Sequence, residues 1–213
     1  WFKSINKYKV SFSFLIGNQV NHLIENHYKK IKSLKYLKQI VSASSNLKIE
    51  TKKKLAKIQN ILSFEMYGAS EISTVSIIDI KKNRKHISSV GKRCSESQIE
   101  ILKNNKIISK SGLQGEIICK TSQIFDGYLN KKENKDCFYK KYFKTGDIGY
   151  FKNNYLYFTG RNKNIIKISG INIYPEQIEK EIISKLKTIE ECCVISKPDS
   201  ITGEKILLYY KKK

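Results

Sequence analysis

The chain has 213 residues, 40% of them hydrophobic and 28% charged, enough for one ordinary domain with a small second module around a real core. No apolar run approaches the roughly 20 residues of a membrane-spanning helix, so no transmembrane segment is expected. The formal charge of +22 invites a nucleic-acid reading, yet only Arg84, Arg93 and Arg161 among the 41 basic residues are arginine. Base and phosphate readers favour the arginine fork, so what the charge leaves is a salt-dependent, nonspecific attraction to polyanions.

Cys94, Cys119, Cys137, Cys192 and Cys193 form no Cys-x-x-Cys pair, and their odd number argues for reduced thiols and a cytoplasmic protein. His22, His27 and His86 lie at no zinc-ligand spacing from them. Trp1 is not an ordinary start residue, and an upstream segment is expected.

Along the chain, Val10, Phe12 and Phe14 alternate with Ser11 and Ser13, which predicts a half-buried strand. Val20, Leu23, Ile24, Tyr28 and Ile31 follow at helical spacing. Residues 37–43 read as a buried strand, 47–59 as a lysine-rich surface helix and 61–66 as another strand. Strands alternating with helices predict an α/β layer with a mostly parallel sheet up to about residue 73.

Short strands without helices are predicted at 74–79, 97–102, 115–121 and 148–159, a small β-subdomain over about 74–160. Asn153-Asn154 suits a tight hairpin turn, because asparagine tolerates positive φ. Pro175 suits the first turn of a helix, with Glu176 and Glu179 at its positive end and Ile178, Ile182 and Leu186 along its apolar stripe. Strands at 191–196 and 205–210 complete the reading.

Neither a Gly-x-x-x-x-Gly-Lys nor a Gly-x-Gly-x-x-Gly phosphate loop occurs. The informative signal is an ordered series. Tyr67-Gly68-Ala69-Ser70-Glu71 follows a strand, then Ser89-Val90-Gly91-Lys92, Gly115-Glu116-Ile117 and Asp126-Gly127-Tyr128-Leu129-Asn130. Lys144-Thr145-Gly146-Asp147 precedes the hairpin, and Gly160-Arg161-Asn162-Lys163 runs on through Lys167, Gly170 and Tyr174-Pro175 to Ile178-Glu179.

In this order and spacing the chain resembles the ANL superfamily: acyl- and aryl-CoA synthetases, peptide-synthetase adenylation domains and luciferases. The resemblance implies an α/β fold in which residues 1–162 are the later part of the large AMP-binding domain and 163–213 begin the small α+β C-terminal domain. It implies formation of an acyl-adenylate from a carboxylate and Mg-ATP, with release of pyrophosphate, then transfer of the acyl group to a thiol. ATP, Mg²⁺ and coenzyme A are the cofactors so implied.

By the same resemblance, Tyr67 stacks on the adenine, Gly68 is a cofactor-binding residue beside it in the chain, Ser70 stands where the family has threonine and contacts the α-phosphate, and Glu71 binds Mg²⁺. Asp147 accepts the ribose hydroxyls, a task suited to two acceptor oxygens. Arg161 contacts ribose and phosphate, Lys163 marks the hinge, and Lys167 and Gly170 line the pantetheine path. Five of these have a plainer reading: a core aromatic for Tyr67, a helix cap for Ser70, a surface acid for Glu71, a turn residue for Asp147 and a surface lysine for Lys167.

The family's triphosphate loop is expected upstream of Trp1 and its adenylation-step lysine beyond Lys213, so the chain alone is expected to lack a complete active site. Asn172-Ile173-Tyr174-Pro175 resembles the CoA-ligase wording, which favours a ligase for a fatty or other organic acid. A ligase loading a carrier-protein thiol, and a non-catalytic remnant or basic binding module, stay open as alternatives. No specific nucleic-acid partner is expected; peripheral membrane contact and the oligomeric state are left open.

Overall fold

The computed structural model describes residues 1–213 as three sheets with helices on one face of the first. The chain opens with α1 (Phe2–Lys7), β1 (Phe12–Ile16), α2 (Gly17–Lys32), β2 (Gln39–Ala43), α3 (Ile49–Leu55) and β3 (Leu62–Ala69). Strands β1, β2 and β3 are parallel neighbours, with Phe12 opposite Gln39 and Gln39 opposite Leu62. β4 (Ser73–Asp79) and β5 (Lys92–Arg93) add antiparallel strands to the same sheet. The change expected at about residue 73 therefore falls inside one sheet: the β3–β4 turn reverses the chain but does not leave the layer.

The apolar stripe of α2 (Val20, Ile24, Ile31) meets Leu37, Ile40, Leu55, Ile58 and Ile61 in the first core. The alternation in β1 is present, but its faces are opposite to the expected ones. Leu15 packs on this core, whereas Phe12 and Phe14 are 49% and 53% exposed. A period of two separates the faces of a strand without saying which one is covered. Here the helices cover the Ser13–Leu15 side, where Trp1 Nε1 donates to Ser13 Oγ at 3.1 Å.

The second sheet comprises β6 (Gln98–Lys103), β7 (Lys106–Ile108), β8 (Gly115–Lys120), β9 (Phe138–Tyr139), β10 (Tyr142–Lys152) and β11 (Tyr155–Arg161). All its pairings are antiparallel. Asn153 and Asn154, with φ of 52° and 64°, form the two-residue turn between β10 and β11, the mirror-image geometry that matches strand twist. The core of this sheet joins Ile99, Ile101, Ile117, Phe143 and Leu156 to Ile72 and Val75 from the first.

The third sheet holds β12 (Ile166–Ile168), β13 (Ile171–Ile173), β14 (Ile189–Asp199) and β15 (Gly203–Lys212), in the order β13-β12-β15-β14. Helix α4 (Pro175–Lys185) packs on β14, with Pro175 at its first position, where the missing N–H costs nothing.

Candidate functional site

Ligands of parallel α/β sheets gather at the carboxyl ends of the strands, and β3 delivers Tyr67-Gly68-Ala69-Ser70-Glu71 to that end. Gly68 is set by close approach: a Cβ there would lie 2.0 Å from the Ser73 carbonyl oxygen, across a bulge in the β3–β4 pairing. Tyr67 packs its ring against the second core and donates its hydroxyl to Asp147 Oδ2 at 2.8 Å. Burial first, and the Asp147 charge second, push the Tyr67 phenol well above its ordinary pKa, so it stays a donor.

Asp147 sits where β10 departs from regular pairing with β8. Thr145 Oγ1 donates to the Ile117 carbonyl at 2.7 Å and accepts the Asp147 N–H at 3.1 Å. The Glu116 carboxylate accepts the Gly146 N–H at 3.2 Å. These bonds hold the Thr-Gly-Asp turn. Across the hairpin Asp147 pairs in register with Arg161, whose Nε lies 3.3 Å from Oδ1. Oδ1 is nevertheless buried without a hydrogen bond. Burial raises the carboxyl's pKa, while the Tyr67 hydroxyl and the Arg161 charge pull it down. The result is one satisfied oxygen and one buried acceptor beside a cation, an arrangement that can take a hydroxyl donor.

Ser70 is exposed and Glu71 half-buried. Glu71 Oε1 accepts the Tyr128 hydroxyl at 2.6 Å, and its backbone carbonyl accepts the Phe125 N–H at 2.8 Å. The bond to Glu71 is the main reason the Tyr128 phenol is pushed up to about 12. The Asp126–Asn130 motif thus docks on the end of β3. No cluster of three His, Cys, Asp or Glu side chains surrounds Glu71. A hard cation held there would draw most of its oxygen ligands from a bound phosphate, as Mg²⁺ commonly does.

Arg161 ends β11 and a short 3₁₀ turn, Asn162–Asn164, carries the exposed Lys163 into β12. Glu176, in the first turn of α4, fastens this link. Its Oε1 accepts the Arg161 N–H at 3.3 Å and Asn164 Nδ2 at 2.8 Å. Its carboxylate lies over Gly160, where a Cβ would come within 2.4 Å of it. In the sequence Glu176 read only as a helix-start acid; its position two residues after Tyr174 gave no sign of a contact to the strand end.

Lys167, on β12, projects an exposed side chain, and its N–H donates to Glu204 Oε2 at 2.5 Å. Ser169 and Gly170, with φ of 49° and 82°, make the two-residue β12–β13 turn, and a Cβ on Gly170 meets nothing within 4 Å. The structure thus gathers Tyr67, Asp147 and Arg161 into direct contact. No side-chain hydrogen bond or ion pair joins Lys163 or Lys167 to them, and Gly170 lies in the separate β12–β13 turn.

One constellation went unread in the sequence. Helix α3 is shorter than the expected 47–59 and is not simply a surface helix, since Thr51 and Lys52 are buried. Lys52 forms an ion pair with Glu65 inside the protein and donates to the Ser89 carbonyl at 3.0 Å. Glu65 Oε1 accepts the Leu47 N–H at 2.9 Å. The pair ties the loop after β2 to β3. A lysine among Lys52-Lys53-Lys54 carries no local mark of burial; Glu65, the one charged residue of β3, was the available signal.

This fold is that of adenylate-forming ligases. The amide bond synthetase McbA from Marinactinospora thermotolerans superposes with a TM-score of 0.87 at 19% identity, over 98% of this chain and 43% of that one. The O-succinylbenzoate coenzyme A synthetase from Bacillus subtilis, in complex with ATP and magnesium ion, does so with a TM-score of 0.84 at 22% identity, over 98% and 43%. Residues 1–129 match the family model of AMP-binding enzymes, and the chain belongs to that family, within the ANL superfamily of adenylate-forming enzymes. It is 31% identical over 176 residues to a long-chain-fatty-acid–CoA ligase of Bacillus subtilis (strain 168), covering 81% of this chain and 31% of that relative. The chain thus spans under half the length of the proteins it matches.

Proposed function

We propose that the chain supplies the ribose- and metal-binding part of an ATP-dependent acid–thiol ligase, which activates a carboxylate as its adenylate and passes the acyl group to coenzyme A. The observation that carries this reading is the buried Oδ1 of Asp147, which accepts no hydrogen bond and is flanked by the Tyr67 hydroxyl and the Arg161 guanidinium. Asp147 would accept the ribose hydroxyls, with Tyr67 fixing its orientation and its ring bordering the adenine beside Gly68. Arg161, half-exposed, would reach ribose or phosphate oxygens. Ser70, exposed at the strand end, would donate to the α-phosphate, and Glu71 would hold Mg²⁺, which neutralises phosphate charge when bound.

The segment around Lys163 would act as the hinge between residues 1–162 and 163–213, with Lys167 and Gly170 facing the incoming pantetheine. A fatty or other organic acid is the proposed substrate. Of the proteins named above, one is named for O-succinylbenzoate and another for long-chain fatty acids, so the likeness to them supports the class and not one compound.

Calorimetric titration of the 213-residue chain with AMP tests the nucleotide reading. Binding is expected, and Asp147→Ala is expected to weaken it by roughly ten- to a hundredfold, the worth of a charged hydrogen-bond acceptor. Equal affinity in the two proteins would show Asp147 to be a turn residue only.

A further inference from the structure

The positive charge of this protein is not spread evenly. The stretches 1–11, 29–38, 53–61 and 80–86 contain fifteen of the 41 lysines and arginines and none of the 19 acidic residues. In the sequence they are far apart. In the fold they meet, because β1, β2 and β3 run parallel and the first three stretches lead into their amino ends, while the fourth leaves the antiparallel β4 beside them. Fourteen of the fifteen basic side chains are exposed. Only Lys53, with Glu50, and Lys82, with Asp79, have a carboxylate within ion-pair distance.

Helix ends explain part of this. Cations are favoured in the last turns of α1, α2 and α3, but eight of the fifteen lie in the connecting segments beyond those helices. Beside the charge stand exposed apolar groups. Tyr8 is 67% exposed, and Phe12 and Leu62, the first residues of β1 and β3, are 49% and 44% exposed. Lys9 and Lys35 both lie over the ring of Tyr36.

We propose that this end of the first sheet is a docking surface for an anionic lipid bilayer, with the nucleotide end of the same strands turned away from it. Lysines near such a surface are attracted to its headgroups, and aromatic and aliphatic side chains among them enter the interface. A polynucleotide fits less well. One arginine among fifteen cations offers few forks for phosphate, and exposed Phe12 and Leu62 would gain little from a sugar–phosphate backbone. This inference does not depend on the proposed activity.

The test is co-sedimentation of the chain with phosphatidylcholine vesicles, with and without about 30% phosphatidylserine, at physiological and at high salt. Binding only to the anionic vesicles, weakened by salt, is expected. Each lysine near a charged bilayer is worth roughly a fivefold change in partitioning. A variant with Lys9, Lys35, Lys57 and Lys85 all changed to Gln should therefore lose at least about tenfold. A control with Lys106, Lys131, Lys141 and Lys152 changed to Gln removes the same charge from exposed sites elsewhere and should keep most of the binding. Phe12→Ser with Leu62→Ser should remove the part of the binding that resists salt, with thermal midpoints confirming that all variants fold. Equal losses in the two lysine variants, no anionic-vesicle binding at physiological salt, or tighter binding to a short RNA duplex with the same dependence on the four lysines would each overturn the proposal.

Discussion

The Tyr67 hydroxyl donates to Asp147 Oδ2 at 2.8 Å, joining the end of β3 to a turn eighty residues away. Through this bond the first sheet positions an acid of the second. It occupies one carboxylate oxygen and leaves the other, Oδ1, as a buried acceptor.

That geometry has a pH signature. Burial raises the Asp147 pKa from its ordinary value, against the opposing pull of the Tyr67 hydroxyl and the Arg161 charge. A group whose folded pKa is raised contributes stability that is complete below its unfolded pKa and is lost as pH rises through the folded value. Ionised Asp147 is therefore a cost to the empty fold at neutral pH. Asp147→Asn is expected to leave the thermal midpoint unchanged or higher while AMP affinity falls about tenfold or more. In the unchanged protein, AMP affinity should fall as pH drops toward the raised Asp147 pKa. Tyr67→Phe removes a bond that favours the charged acid, so it should move that fall to higher pH. A lowered midpoint in Asp147→Asn, or pH profiles that coincide, would count against this account.

The buried pair Lys52–Glu65 predicts an asymmetry in stability. Lys52→Met leaves an uncompensated carboxylate inside the protein and is expected to cost about 3–5 kcal/mol in urea unfolding. Adding Glu65→Gln removes that charge while keeping an acceptor for the Leu47 N–H, so most of the loss should return. Additive effects of the two substitutions would show that they do not act as a pair.

Glu176 predicts a local effect at the link between the second and third sheets. Its Oε1 accepts the Arg161 N–H, so Glu176→Ala should speed hydrogen exchange at the Arg161 amide by about tenfold, the worth of one charged hydrogen bond. Glu179, whose Oε1 accepts the Val194 N–H at 2.7 Å, is the control. Glu179→Ala should leave the Arg161 amide as it was. An unchanged rate in Glu176→Ala would mean that the strand pairing alone protects this position.

Gly170 predicts a split between two half-reactions in the whole protein, if it faces the thiol in one orientation only. Its φ of 82° means that any β-carbon strains the turn, by about 1 kcal/mol for alanine. Asparagine tolerates this conformation, so Gly170→Asn is the control for strain. Gly170→Trp is expected to keep acyl-adenylate formation and lose acyl-CoA formation in single-turnover assays, whereas Gly170→Asn keeps both. Loss of both steps in Gly170→Trp, or of neither, would sink the two-orientation reading.

Local chemistry was legible in the sequence because it acts over a few residues. Asn153-Asn154 specified a hairpin through its tolerance of positive φ, Pro175 marked the first position of α4, and the order of short motifs pointed to the adenylate-forming fold. The alternation of β1 separated two faces. Which face is covered depended on where α1 and α2 lie, and Phe12 and Phe14 came out exposed. Lys52 looked like its neighbours in a lysine run and is buried only because β3 brings Glu65 beneath it. The Tyr67–Asp147 bond and the gathering of four basic stretches at one sheet end likewise belong to the tertiary structure. Periodicity and turn chemistry are properties of neighbouring residues, whereas burial, charge pairing and the meeting of distant loops are set by packing between segments that the sequence keeps apart.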